Sequence, residues 1–139
     1  MVAIDHLRAT LTKSILIIDD DASSRSALKE IFEYLNYEVY AAANGKEGIE
    51  SYRRINTDII ITDIFMPVKD GLETIREIKK EFPEAKIIAM SDIHRGNMDF
   101  FQLAKYLGAI DYIKKPFSSY DIVKIISRTF DGKPSKDVA

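Results

Sequence analysis

Ser14-Ile15-Leu16-Ile17-Ile18-Asp19-Asp20-Asp21 is the stretch on which the reading of this chain turns. A continuously apolar run ending abruptly in acid is the pattern of a strand covered on both faces. The residues that follow turn helical, with Leu28, Ile31, Phe32 and Leu35 spaced i, i+3, i+4, i+7, and Ser23 or Ser24 placed to cap them. The same alternation repeats downstream. A second strand is expected over 37–42 and a second helix over 46–54, after Asn44-Gly45. Ile59-Ile60-Ile61 then forms the centre of a third strand running into Asp63. Met66-Pro67 and Asp70-Gly71 mark a loop. The third helix carries Leu72, Ile75, Ile78 and Phe82 and stops at Pro83. Residues 86–90 read as a fourth strand ending at Ser91, and about 97–107 as a fourth helix with Gly108 as its C-terminal cap. A short fifth strand over 110–114 ends at Lys115-Pro116, and a last helix over about 118–130 is expected to bury Ile122, Ile125, Ile126 and Phe130. Five β-then-α units without internal repeat imply a parallel sheet with helices on both faces.

Composition agrees with one soluble globular domain. The chain has 139 residues, 46% hydrophobic and 30% charged, enough for a sizeable core and too apolar for disorder. A net charge of −2 argues against direct nucleic-acid binding. There is no cysteine, which excludes disulfides and thiolate metal sites and fits a reducing compartment. No apolar run approaches the roughly 20 residues of a membrane helix, and residues 1–13 lack a signal-peptide core. A cytoplasmic location, away from membranes, is expected.

In sheets of this type function collects at the carboxyl ends of the strands. Strand one delivers Asp19, Asp20 and Asp21 there, strand three Asp63, strand four Ser91 and strand five Lys115, whereas strand two ends only in Ala41-Ala42-Ala43. Converging carboxylates repel one another unless a cation or protons intervene. An all-oxygen site suits a hard cation, magnesium first and manganese as the alternative. The Lys115 ammonium and the Ser91 hydroxyl would bind phosphoryl oxygens, with an aspartate as acceptor. Singly, each residue has a plainer role. Aspartates after a strand cap helices or make turns, a serine caps, and a lysine is solvated. Four of them at four strand ends in one crevice point to phosphoryl chemistry.

Three segments resemble the receiver domains of two-component response regulators: 15–21 (Ile-Leu-Ile-Ile-Asp-Asp-Asp), 60–71 (Ile-Ile-Thr-Asp-Ile-Phe-Met-Pro-Val-Lys-Asp-Gly) and 108–117 (Gly-Ala-Ile-Asp-Tyr-Ile-Lys-Lys-Pro-Phe). The resemblance covers about 14–130. It implies an α/β fold, a (βα)5 flavodoxin-like doubly wound three-layer sandwich whose five-stranded parallel sheet has the order 2-1-3-4-5. Residues 1–13 would be an N-terminal extension, 14–131 the receiver domain and 132–139 a flexible C-terminal tail. It further implies that Asp63 takes phosphate from a phosphohistidine on a sensor histidine kinase or phosphotransfer protein. Asp19 and Asp20 would be the acidic pair, with Asp20 the closer metal ligand. The metal set would be completed by Asp63 and the backbone carbonyl of Phe65. Ser91 matches the switch hydroxyl, Tyr112 the switch aromatic, and Lys115 the lysine before a cis-prone Pro116. The family acts as a switch and not as an enzyme. Its output is a protein target on the face of helix four, strand five and helix five, or a homodimer formed on phosphorylation. Phe100, Phe101, Tyr106 and Phe117 cluster in sequence there, with Phe101 expected in the core. With no DNA-binding or catalytic domain after Phe130, the output is expected to be a protein contact.

Three features depart from the family pattern. Asp92 follows the switch hydroxyl where a small residue is usual. The stretch between Ser91 and Gly108 is slightly long. Phe65 and Ile93 stand where polar residues often border the path of hydrolytic water, so the phosphorylated state is expected to be long-lived, suiting a slow response or a phosphorelay. A haloacid-dehalogenase-like phosphatase would use Asp19-Asp20-Asp21 as its D-x-D motif, but lacks a late acidic motif and leaves Asp63 unexplained. A phosphorylation-independent interaction module would be expected to lose the acidic pair, acceptor or lysine, and all are present.

Overall fold

A computed structural model describes residues 13–92 and 98–131, with the side chains of 98 and 99 excepted. The expected N-terminal extension (apart from Lys13), the C-terminal tail and Ile93 lie outside the described residues, as does the start of the fourth helix at 97. Five strands alternate with five helices: β1 Ser14–Ile18, α1 Ala22–Tyr34, β2 Glu38–Ala42, α2 Gly45–Ile55, β3 Ile59–Asp63, α3 Gly71–Glu81, β4 Ile87–Asp92, α4 Met98–Leu107, β5 Asp111–Lys115 and α5 Ser119–Asp131. The sheet is parallel throughout, in the order β2-β1-β3-β4-β5. This is the flavodoxin-like doubly wound arrangement.

The three central strands, β1, β3 and β4, carry unbroken apolar runs because both faces of the sheet are buried there. Leu16, Ile18, Ile60, Ile87 and Ala89 face a core completed by Ile49 and Tyr52 of α2, Ile75 and Ile78 of α3, and Phe101 and Ala104 of α4. Ile15, Ile17, Ile59, Ile61, Ile88 and Met90 face the other core, closed by Leu28 and Phe32 of α1 and by Ile122, Ile125 and Ile126 of α5. Phe130 is only partly buried, stacked on Tyr37 at 5.7 Å. The chain passes from β1 outward to β2, then returns to place β3 on the other side of β1. That reversal opens a crevice at the carboxyl ends of β1 and β3.

Caps differ from expectation at one helix. The N-cap of α1 is Asp21, whose carboxylate accepts the Ser23 N–H at 3.0 Å and the Ser24 hydroxyl at 3.2 Å. A carboxylate adds its charge to the favourable end of the helix dipole, so it takes the place expected of the serines. Gly108 follows α4 with φ +125°, backbone that an L side chain adopts only under strain. β4 extends beyond Met90 to include Ser91 and Asp92. Among the described residues, no helix is long and apolar enough to cross a membrane.

Candidate functional site

β1 and β3 deliver their terminal carboxylates side by side. The Asp19 N–H donates to the Ala42 carbonyl at 3.1 Å, holding Asp19 in the sheet plane at the point where β1 ends. Its side chain is fully buried. One carboxylate oxygen accepts the Asp21 N–H at 3.0 Å and the other accepts Lys115 Nζ at 2.9 Å. Arg25, a little over one turn into α1, donates to the Asp19 carbonyl at 2.7 Å and fastens the helix to the strand end. Asp63 is the last residue of β3 and is 7% exposed. Its Oδ2 accepts Lys115 Nζ at 3.3 Å, so one ammonium from the end of β5 bridges both buried carboxylates. Asp20 is exposed, yet its carboxylate completes a group with Asp19 and Asp63 whose ligand atoms all lie within 4.8 Å.

Charge in this crevice is out of balance. Burial pushes Asp63 up from 3.8 to about 6; the Lys115 charge opposes the shift and the Asp19 charge adds to it. Burial alone would lower Lys115, but its hydrogen bond to Asp19 and the charges of Asp63 and Asp19 outweigh that and raise it, so it is a cation at neutral pH. Three carboxylates against one ammonium leave room for a divalent cation. The oxygen-only donor set is of the kind that hard cations take, and the residues fit such an ion.

Ser91 Oγ is buried and makes no hydrogen bond among the described residues. An unsatisfied buried hydroxyl costs about 1–3 kcal/mol, and Ser91 sits near the carboxyl end of β4, the strand that pairs with both β3 and β5. Asp92, the next residue, is partly buried and lies opposite Lys115 in the register of β4 and β5. The Lys115–Pro116 peptide is cis. Tyr112 is partly buried, its ring stacked on Phe101 at 4.6 Å and approached by Lys114 Nζ at 5.8 Å. Phe101 is core, as expected, while Tyr106 is 86% exposed.

The loop after Asp63 is closed at its base by the Gly71 N–H donating to the Ile64 carbonyl at 2.7 Å. A Cβ on Gly71 would lie 2.0 Å from the Asp63 carbonyl oxygen, so glycine is required for the return of the chain. At the tip the Lys69 N–H donates to the Pro67 carbonyl at 2.8 Å across Val68, whose φ is 71°. That is a strained γ-turn centred on a β-branched residue. Lys69 Nζ reaches both Glu77 oxygens at 2.6 Å and ties the tip to α3. The Phe65 ring meets Phe100 of α4 edge to face at 5.0 Å.

Sequence reasoning assembled Asp19, Asp20, Asp63, Ser91 and Lys115, and the structure brings them to one end of the sheet. Arg25, the Lys69–Glu77 pair and the Phe65–Phe100 contact were not foreseen. Arg25 had a faint signal, four residues after a capping aspartate. The two other pairs join elements whose packing no local pattern reports.

A family model described as the response regulator receiver domain matches residues 15–127. The chemotaxis protein CheY of Thermotoga maritima is 39% identical over 117 residues, covering 84% of this chain and 96% of that protein. CheY of Bacillus subtilis is 36% identical over 118 residues, covering 84% and 97%. Among solved structures, a receiver domain protein from Clostridium thermocellum superposes with a TM-score of 0.80 at 30% identity, covering 86% of this chain and 95% of that one. The chain belongs to the response regulator receiver domains, a family of phosphorylation switches and not of turnover enzymes.

Proposed function

We propose that this protein is a cytoplasmic receiver in which Asp63 accepts a phosphoryl group from the phosphohistidine of a sensor kinase or phosphotransfer protein. One observation carries the reading: Lys115 bridges the buried carboxylates of Asp19 and Asp63 while Asp20 stands beside them. Asp63 is the acceptor because its carboxylate is buried at the strand end, is bridged by Lys115 and, among the described residues, accepts no backbone N–H as Asp19 does. An Asp63 oxygen bonds to phosphorus as the bond to the histidine nitrogen breaks, and the freed imidazole keeps the electron pair. Lys115 holds Asp63 in place and then donates to the phosphoryl group, and the Ser91 hydroxyl donates to a second phosphoryl oxygen. Asp19, Asp20, Asp63 and the Phe65 carbonyl would hold magnesium, with manganese as substitute, and such an ion neutralises charge on the transferring group.

Phosphorylation adds roughly −1.5 to −2 charges at Asp63. Ser91 drawn toward those oxygens leaves space next to Tyr112, and the face of α4, β5 and α5 is remodelled for a protein target or a second copy of the chain. Leu103, Tyr106, Ile110 and Tyr120 are exposed on these elements and the adjoining loop.

Incubation with acetyl phosphate and magnesium, followed by mass spectrometry, tests the assignment. The expected product carries one alkali-labile phosphate on Asp63, absent from Asp63→Asn and absent without a divalent cation. Phosphate on another aspartate would overturn it. Multiple turnover of a small phosphoester would favour a phosphatase instead.

A further inference from the structure

The turn that leaves β1 is braced on both sides of Asp20. Arg25, the fourth residue of α1, donates from Nη1 to the Asp19 carbonyl oxygen at 2.7 Å. One Asp19 carboxylate oxygen accepts the Asp21 N–H at 3.0 Å, and the other is anchored by Lys115 Nζ at 2.9 Å. A peptide unit is planar, so the bond to the Asp19 carbonyl fixes the plane ahead of Asp20 and the bond from the Asp21 N–H fixes the plane behind it. Together they set φ and ψ at Asp20, and with them the direction of its Cβ. Asp20 has no other hold. It is exposed, and among the described residues no hydrogen bond takes up its carboxylate, yet its ligand atom lies within 4.8 Å of those of Asp19 and Asp63.

We propose that Arg25 is a positioning residue for the divalent cation: by holding the Asp19 carbonyl it fixes the peptide plane ahead of Asp20 and keeps the exposed Asp20 carboxylate beside Asp19 and Asp63. The inference rests on those three carboxylates holding the cation. Arg25 acts through Asp20 and does not bind the ion, since a guanidinium has no acceptor atom. Its positive charge, acting alone, would repel a cation, so that removing it would tighten binding. Positioning predicts the opposite sign. The net worth of one such hydrogen bond converts to about three- to tenfold in affinity. Two hard cations should also feel the loss unequally. Magnesium demands near-ideal octahedral geometry whereas calcium accepts irregular geometry, so a loosened Asp20 costs magnesium more.

The test is a titration of the metal-free protein with magnesium and, separately, with calcium. Binding is followed by the amide chemical shifts of Asp19, Asp20 and Asp63 in wild type, Arg25→Met and Arg25→Lys. Methionine keeps an apolar stem and removes donor and charge; lysine keeps the charge and a point donor without the planar fork. All three are compared at a temperature where metal-free melts show them folded. Arg25→Met is expected to bind magnesium about three- to tenfold more weakly, with a smaller loss for calcium, and Arg25→Lys to recover part of the magnesium loss. Magnesium affinity unchanged or raised in Arg25→Met, an equal loss for both ions, or no recovery in Arg25→Lys would overturn the proposal. Should Arg25→Met fail to fold, Arg25→Gln, which is neutral and too short to keep the bond, is titrated in its place with the same expectations. Wild type showing no magnesium response at these amides would instead sink the metal reading, and the proposal with it.

Discussion

Asp63 carries the conflict on which the site depends. A carboxyl group that ordinarily titrates at 3.8 is held at about 6 by burial, so the folded, metal-free protein binds this proton more tightly than the unfolded chain does. The sign follows from linkage: between pH 4 and 6 the folded state holds the extra proton, and stability falls as pH rises through that window. Asp63→Asn removes the penalty. It is expected to stabilise the metal-free protein by on the order of 2 kcal/mol above pH 6 and by almost nothing below pH 4. Thermal melts of both proteins at pH 4, 5, 6 and 7 without divalent cation check this; a constant difference across the series would contradict it. Val68 holds a second residue-scale strain, a β-branched side chain at φ 71° on an 80% exposed position. Glycine relieves it without losing packing, so Val68→Gly should stabilise by about 1 kcal/mol, measured by urea denaturation.

Among elements, the loop from Ile64 to Gly71 is the most constrained, since it leads from Asp63 at the end of β3 directly into α3. Its base depends on Gly71 passing against the Asp63 carbonyl, and its end on Asp70, which caps α3 by accepting the Glu73 N–H at 2.9 Å. Here a methyl group collides with backbone, which cannot rotate away as a side-chain tip can. Gly71→Ala is therefore expected to destabilise by about 2–4 kcal/mol. It should also slow labelling by acetyl phosphate at a temperature where the variant remains folded, with circular dichroism reporting the fold. The helix α2 uses the same device in a quieter place, where Asn44 caps by accepting the Glu47 N–H at 2.9 Å and Glu47 reaches back to the Ala43 N–H at 3.2 Å.

For the whole molecule, the sheet brings three like charges to one end, and a cation that binds only the folded arrangement stabilises all of it. Magnesium at ~100 times its dissociation constant should contribute about 2.7 kcal/mol, raising the melting temperature by several degrees. Asp20 is exposed, so Asp20→Ala should leave the metal-free melting temperature nearly unchanged while abolishing most of the magnesium shift. Differential scanning calorimetry with and without the ion separates the two effects. A full magnesium response in Asp20→Ala would place the cation elsewhere.

The layered fold, and which polar residues gather at one end of its sheet, were legible in the residue pattern alone. Unbroken runs such as Ile15 to Ile18 and Ile59 to Ile61 have no polar side, so they demand cover on both faces, and the amphipathic stretches between them supply it. Because every such strand is parallel, the polar residue at each carboxyl end must fall on the same edge of the sheet. Asp19, Asp20, Asp63, Ser91 and Lys115 could therefore be gathered before any coordinates. Which atoms meet was not legible there. That one ammonium bridges Asp19 and Asp63, that Asp21 and not a serine caps α1, that Lys69 pairs with Glu77 and Phe65 with Phe100, are consequences of packing angles and side-chain rotamers. Residue periodicity repeats over a few positions and carries no information about contacts between elements 96 residues apart, as Asp19 and Lys115 are.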